Sequence, residues 1–532
     1  MHIATSACAC AAAPAAEPPP ATTLEAEGAR IGEVIVRGIP VFDLDDPREN
    51  RRLYRLANRL HVPTREAAVR AQLLFKPGER FDQRRVEETE RNLRSLRYLQ
   101  EPDIRPLRYH DGVVDLEIRS RDAWTMSPSI SFGRSGGANH TGIEFEDTNF
   151  LGFGKFVQAG IGSDVDRTTT SVEWRDPAVL GSHWHSSARF ADSTDGGGFE
   201  LGLTRPFYSL DTRWTVGASA LADESVERRY SLGTIVDGYR RDQREANLYG
   251  GLSSGLHDGV VHRWLAGFRY DSARFSASPL VSSTAPLPSD RVLSYPYVRF
   301  ESLREDYAVA RNHDNIGRTE DMDFGTRFSA ELGWTSPSLG ANRSALIFET
   351  AASRGFRLDG GQELFFSSSF AGRFESGALT DGLAKARARY FWRTSENTLF
   401  HTALLVEAGH ALDADHDVVL GGDTGLRGYP LRYQAGNGRA VLTLEERVFT
   451  DWYPFNLFHV GGAAFVDVGR TWGDASIRVP NEGLLEDFGV GLRFGNSRSS
   501  LGNVIHLDFA FPLDKSASAR SMQILIGTKT SF

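Results

Sequence analysis

The chain has 532 residues, a formal net charge of -9 and a mean hydropathy of -0.33. The negative balance argues against a general nucleic-acid binder. No run of about 18 apolar residues exists, so no transmembrane helix is expected, although barrel strands, which alternate apolar and polar residues, escape that criterion. The 53 glycines and 33 phenylalanines, against 4 methionines, suit a turn-rich β protein with aromatic girdles.

Both cysteines, Cys8 and Cys10, lie in the small-residue stretch Ala4 to Ala16. Its Ala-x-Ala patterns read as the cleavage end of a secretory signal, and residues 1–30 as a signal remnant and Pro-rich linker. From Ile31 to Gly38 apolar and polar residues alternate, predicting a strand. Pro47 to Asn58 reads as a charged helix with Pro47 in its first turn. Asp82 is the candidate N-cap of a second helix running to about Arg97, with Val86, Leu93 and Leu96 at helical spacing. Asp103 to Tyr109 and Val113 to Arg119 read as strands joined by a hairpin at His110-Asp111-Gly112. Residues 31–119 therefore form a small β-α-α-β-β domain.

After Trp124 helical periodicity ends and short alternating segments continue to the C-terminus. In the clearest, Ala384, Ala386, Ala388, Tyr390 and Trp392 share one face, and Lys385, Arg387, Arg389 and Arg393 the other. A barrel would turn the apolar face to lipid and the cationic face to a wet lumen. Residues 124–532 hold about 16 spanning strands at roughly 10 residues each plus turns. Polar stretches near Ser276–Asp290 and Asn312–Asp323 read as external loops or turns.

Gly421-Gly422-Asp423-Thr424-Gly425-Leu426-Arg427-Gly428-Tyr429-Pro430 reads as a compact loop holding Arg427 at its tip. Phe465-Val466-Asp467-Val468-Gly469 reads as a strand, with Phe465, Asp467 and Gly469 on one face. Lipid cannot accept Asp467, so that face is lumenal. Glu445 and Arg447 share a face with Thr443. An Arg427–Asp467 pair with Glu445 as neighbour is the expected lock of the loop in the lumen, because a guanidinium fork matches a carboxylate.

These segments resemble those of the BamA/TamA outer-membrane assembly superfamily, which also contains the two-partner-secretion transporters. Leu426-Arg427-Gly428-Tyr429 is similar to the family's [Val/Leu]-Arg-Gly-[Tyr/Phe] loop motif. Phe465 to Gly469 is similar to its Phe-x-Asp-x-Gly strand motif, and Glu445-Glu446-Arg447 to its Glu-x-Arg element. Residues 31–119 look like one POTRA domain, and Met522 to Phe532 like a C-terminal barrel signal ending on an aromatic. The resemblance implies a mainly β protein, with a periplasmic POTRA domain before a 16-stranded antiparallel transmembrane barrel. It also implies a non-enzymatic insertase or translocase without cofactor or metal. Its partners would be unfolded client polypeptides, periplasmic accessory proteins and the outer membrane's lipid and lipopolysaccharide. The strand Asp103 to Tyr109 would capture clients by β-augmentation, and the first and last barrel strands would part at a seam. A secretion pore for one client and a structural surface barrel are the alternatives.

No His-Glu-x-x-His and no phosphate loop is present. His183 and His185 on one strand face read as girdle residues. Asp413, Asp415, His416 and Asp417 read as a charged external loop, with Ca²⁺ or lipopolysaccharide as the sharper reading.

Overall fold

A computed structural model describes residues 18–496, 498–500, 504–514 and 521–529. Cys8, Cys10 and Phe532 lie outside the described residues. The chain forms two compact units, divided between Ala123 and Trp124.

The first unit contains α1 (Ala21–Ala26), β1 (Arg30–Ile39), α2 (Arg52–Leu60), α3 (Glu66–Arg70), α4 (Gln83–Ser95), β2 (Leu99–His110) and β3 (Val113–Asp122). Its sheet has the order β1-β3-β2, with β1 parallel and β2 antiparallel to β3. Asp82 caps α4 by accepting the Arg85 N–H at 3.1 Å. Asp111 and Gly112 both take positive φ, which gives the hairpin the turn its strand twist requires. Val86 and Leu93 of α4 pack in one core with Val114, Leu116 and Ile118 of β3. Each such buried side chain contributes roughly 1.5–3 kcal/mol of transfer free energy. The structure differs from expectation at three places. The helix foreseen from Pro47 begins only at Arg52. The short helix α3 is additional. The supposed linker contributes α1, whose Leu24 is fully buried in the core.

The β2 edge does not suit strand capture between residues 102 and 106. Pro102 and Pro106 carry no N–H, and the Ile104 N–H is already taken by Glu90 Oε1 at 2.7 Å. Within the Asp103–Tyr109 edge foreseen for β-augmentation, Ile104 and Pro106 therefore offer no free N–H.

The second unit is a closed antiparallel barrel of twenty strands, not sixteen. It begins with Met126–Ser135 and ends with Gln523–Lys529, which meets the first strand. The expected number was too low because turns were given too much chain. Two-residue turns at Gly136-Gly137, Leu232-Gly233, Asp258-Gly259 and Ser376-Gly377 have positive φ at both positions. That conformation reverses a strand with minimal chain. Strand length also varies widely, and Thr234–His257 is 24 residues long. We call the end where Trp124 enters proximal and the opposite end distal. Phe132, Ile143, Val172, Leu248, Trp264 and Leu332, from strands around the wall, expose apolar side chains outward. Such a continuous apolar exterior suits a bilayer. Inward positions carry charge, as the alternation at Ala384–Arg393 predicted.

Of the two loops foreseen as external, 278–290 is a distal loop. The other is not external. Residues 305–326 follow the tenth strand, Arg291–Arg304, at the proximal end, and form a hairpin of Tyr307–Arg311 with Thr319–Asp323. Its tip contacts inward-facing residues of the wall, because its apolar and acidic side chains find partners there.

Candidate functional site

The distal loop 411–437, between strands Thr398–His410 and Gly438–Phe449, folds back into the barrel. Its glycines permit close approach. A Cβ on Gly422 would come within 2.6 Å of the Gly136 Cα, and one on Gly428 within 2.6 Å of the Asp487 Cβ. Loop hydrogen bonds run from the Gly422 N–H to the Pro430 carbonyl at 2.9 Å and from the Leu426 N–H to the Gly421 carbonyl at 3.1 Å. Leu426, Tyr429 and Tyr433 are fully buried, in one cluster with Leu420, Val441 and Leu485.

This packing delivers Arg427 to the wall. Its Nε and Nη2 donate to the two Asp467 oxygens at 2.7 and 3.0 Å, and its Nη1 donates to Glu445 at 2.8 Å. The guanidinium lies 3.3 Å from the centroid of the Phe465 ring, which supplies a π face. Asp467 is fully buried and also accepts the Thr443 hydroxyl at 2.8 Å. Gly469 lies alongside Leu426, where a Cβ would come within 3.2 Å of its side chain. Gly428 donates its N–H to Asp487 at 3.0 Å, and Tyr429 donates to the Glu486 carbonyl at 3.0 Å and is bonded to Asp514. The structure thus brings together every sequence-predicted loop and strand residue that it describes.

Three further residues were not foreseen. Asp487, Arg493 and Asp508 are essentially fully buried. Arg493 pairs with Asp508 and stands 3.7 Å from Glu445. Asp487, Gly489, Gly491 and Arg493 alternate along Leu485–Asn496, so charges on one face of a glycine-bearing strand were the available signal. Glu445 also accepts from Arg447 at 2.9 Å, and Arg447 Nη1 donates to the His313 carbonyl of the proximal hairpin at 2.6 Å. Two ion pairs on Glu445 and one hydrogen bond to a backbone carbonyl therefore join the distal loop to the proximal hairpin.

The loop also spans the barrel's closure. Ser135 donates to the Gly422 carbonyl at 2.8 Å, and the Leu431 N–H reaches the Gly136 carbonyl at 3.2 Å, both on the first strand or its turn. Asp487 and Asp508 lie on strands near the last. The closure itself is thin: among the described residues the first and last strands register only through Ile526 and Arg134.

Elsewhere the charged loop residues are held in place. Arg291 pairs with Asp413 at 2.6 Å and Asp415 at 3.2 Å, and Arg373 with Asp381 and Asp413 at 3.0 and 2.8 Å. His416 lies 2.7 Å from Asp381, whose hydrogen bond raises the imidazole above its ordinary pKa. Asp381, Asp413 and His416 cluster closely, but two guanidiniums already occupy the carboxylates. Asp417 accepts the Ser476 N–H at 2.6 Å. His183 stacks on Tyr208. A lumenal cavity of about 590 Å³ is lined by Arg263, Arg299, Arg327, Lys385 and Arg387 with serines between them.

The fold and site define a lipid-facing barrel whose lumen holds an arginine-anchored loop. No protein-family model matches the sequence, and no curated protein matches it. Among solved structures, CdiB from Escherichia coli is similar at 12% identity over 94% of this chain and 76% of that one, with a TM-score of 0.49. CdiB from Acinetobacter baumannii is similar at 12% over 94% and 73%, with a TM-score of 0.48. BamA from Haemophilus ducreyi lacking POTRA domains 1–3 is similar at 13% over 93% and 83%, with a TM-score of 0.37.

Proposed function

We propose that this protein is a bacterial outer-membrane polypeptide translocase, non-enzymatic, with its proximal end and first unit in the periplasm. The observation that carries this reading is the buried Arg427–Asp467–Glu445 assembly. It holds a loop inside a barrel wide enough for twenty strands, and a purely structural barrel has no need of such an occupant. Several guanidiniums facing the lumenal cavity suit the passage of a polar, solvated chain. Folding of the client beyond the barrel supplies free energy without a nucleotide.

Insertion of client barrels through the wall is the second reading, and the thin closure favours it. A parted seam exposes unpaired N–H and C=O groups that template an incoming strand, sparing the client's backbone from unpaired burial in lipid. A disulfide between Arg134→Cys and Ile526→Cys separates the two, with Cys8 and Cys10 replaced by Ser. Directly paired strand residues have Cα separations of about 4.5–5.5 Å, within disulfide range. Sealing the seam leaves export through the lumen intact and abolishes wall insertion. A sealed barrel that still supports insertion of other barrels refutes the second reading, and one that loses export refutes the first.

A further inference from the structure

The proximal hairpin is held by more than its own ladder. Ile316, at its tip, is 3% exposed and sits among Phe391, Leu399, Phe449, Ala463 and Val504. These five come from five strands, on inward faces where a wet lumen would favour polar residues. Left uncovered, the ring would expose apolar surface to water. Polar contacts surround it. Arg389 holds Asp314 at 3.0 Å, Arg393 donates to the Arg311 carbonyl at 2.9 Å, and Glu363 meets His313 at 2.6 Å. Arg447 takes the His313 carbonyl. The tip is shaped in advance, since Glu320 accepts the N–H groups of His313, Asp314 and Asn315 at 3.0–3.2 Å.

We infer that this ring and its arginines form a lumenal peptide-binding seat, occupied in the resting barrel by the chain's own hairpin tip. The ligand class follows from the contacts: a polypeptide segment with an acid two residues before an aliphatic side chain, as in Asp314-Asn315-Ile316. Asp314 satisfies Arg389, Ile316 fills the ring, and the carbonyl of the residue before the acid, that of His313, meets Arg447. A client segment of that pattern competes with the tip, so the same seat closes the proximal mouth at rest and receives the client in transit. Because Arg447 also holds Glu445, displacement of the tip removes a carbonyl partner from the arginine that shares Glu445 with Arg427. The inference deepens the translocase reading, but the blockade is measured without any client.

The test is single-channel current across planar bilayers, with folded barrels selected by heat-modifiable gel mobility. In one variant residues 312–318 are replaced by Asn-Gly across the Arg311–Thr319 pair, a two-residue turn compatible with the ladder. Its mean current rises severalfold over wild type. A synthetic peptide of residues 307–323, added on the proximal side, returns the current to the wild-type level. The same peptide with Asp314→Lys and Ile316→Asn does not. A variant current equal to wild type, or equal block by both peptides, overturns the seat.

Should that variant not fold, Ile316→Cys with Gly495→Cys provides the second measurement, again with Cys8 and Cys10 replaced by Ser. A Cβ built on Gly495 stands 2.8 Å from that of Ile316, and a small shift reaches the roughly 3.5–4.5 Å of a disulfide. In mild urea the oxidised barrel stays closed and the reduced barrel opens. Equal currents in the two states overturn the proposal. Peptide block without any export phenotype preserves the seat and removes the translocase reading, whereas export without block does the reverse.

Discussion

Replacing Arg427 with Ala removes the sole loop cation of the buried assembly. Asp467 loses two hydrogen bonds at 2.7 and 3.0 Å and keeps the Thr443 hydroxyl, while remaining fully buried. Glu445 loses one bond but keeps Arg447. Breaking a buried pair from one side costs roughly 3–5 kcal/mol. A cavity of about 310 Å³ borders Arg427, Glu445 and Asp508, so water can rehydrate Glu445. The lower end, about 3 kcal/mol, is therefore expected. At about 1.4 kcal/mol per tenfold, the loop's open population rises roughly a hundredfold. Tryptic cleavage after Arg432 reads that population when reclosing outruns cleavage. Arg427→Lys keeps the charge but loses the two-pronged geometry, and falls between the variant and wild type. A cleavage rate in Arg427→Ala within a few fold of wild type refutes the reasoning, because the pair would then be no more than a hydrated surface contact.

Gly428→Ala places a Cβ 2.6 Å from the Asp487 Cβ and 3.0 Å from the Pro512 N, and neither can swing aside. It should cost about 1–3 kcal/mol of loop closure, read by the same cleavage assay. Burial pushes the Glu90 carboxyl up in the folded first unit, and the Ile104 N–H only partly opposes this. A raised carboxyl pKa means its stabilisation is full below the unfolded value and is lost as pH rises through the folded one. Glu90→Gln should therefore slow hydrogen exchange in α4 at neutral pH, with the advantage vanishing near pH ~4. His416, raised by its hydrogen bond to Asp381 and further by the charges of Asp381 and Asp415, against burial and the charge of Arg291, anchors its loop best when protonated. Protection of residues 411–417 should be greatest below the ordinary imidazole pKa and fall as pH rises through the raised value. His416→Gln should flatten that dependence.

The loop lock was legible because its parts announce themselves locally. Glycines flanking one arginine, and an aspartate on an otherwise apolar strand, each admit few structural solutions. The remainder of the charge assembly was harder to see. Asp487, Arg493 and Asp508 occupy strands whose alternation looks ordinary, and only the barrel's closure brings them near Glu445. Strand number was missed for a related reason. Turns such as Leu232-Gly233 and Ser376-Gly377 lack the Asn-Gly signature, yet take the same positive φ at both positions. The hairpin at 307–323 reads as a polar external loop, since Asp314, Glu320 and Asp321 dominate its composition. Ile316 alone hints that the segment is buried, and its partners lie on five distant strands. The edge of β2 reads as an open strand from its hairpin pattern, yet Pro102 and Pro106 supply no N–H along it.

Movement of polypeptides through or by the barrel is measured most directly by comparing the outer-membrane and secreted proteomes of a strain lacking the gene with those of wild type. A strain carrying Arg427→Ala is included. A polypeptide translocase loses one or several secreted or outer-membrane proteins when the gene is absent, and the point variant reproduces the loss in part. Unchanged proteomes in both strains would contradict the translocase reading, and would leave a barrel whose lumenal loop serves something other than transport.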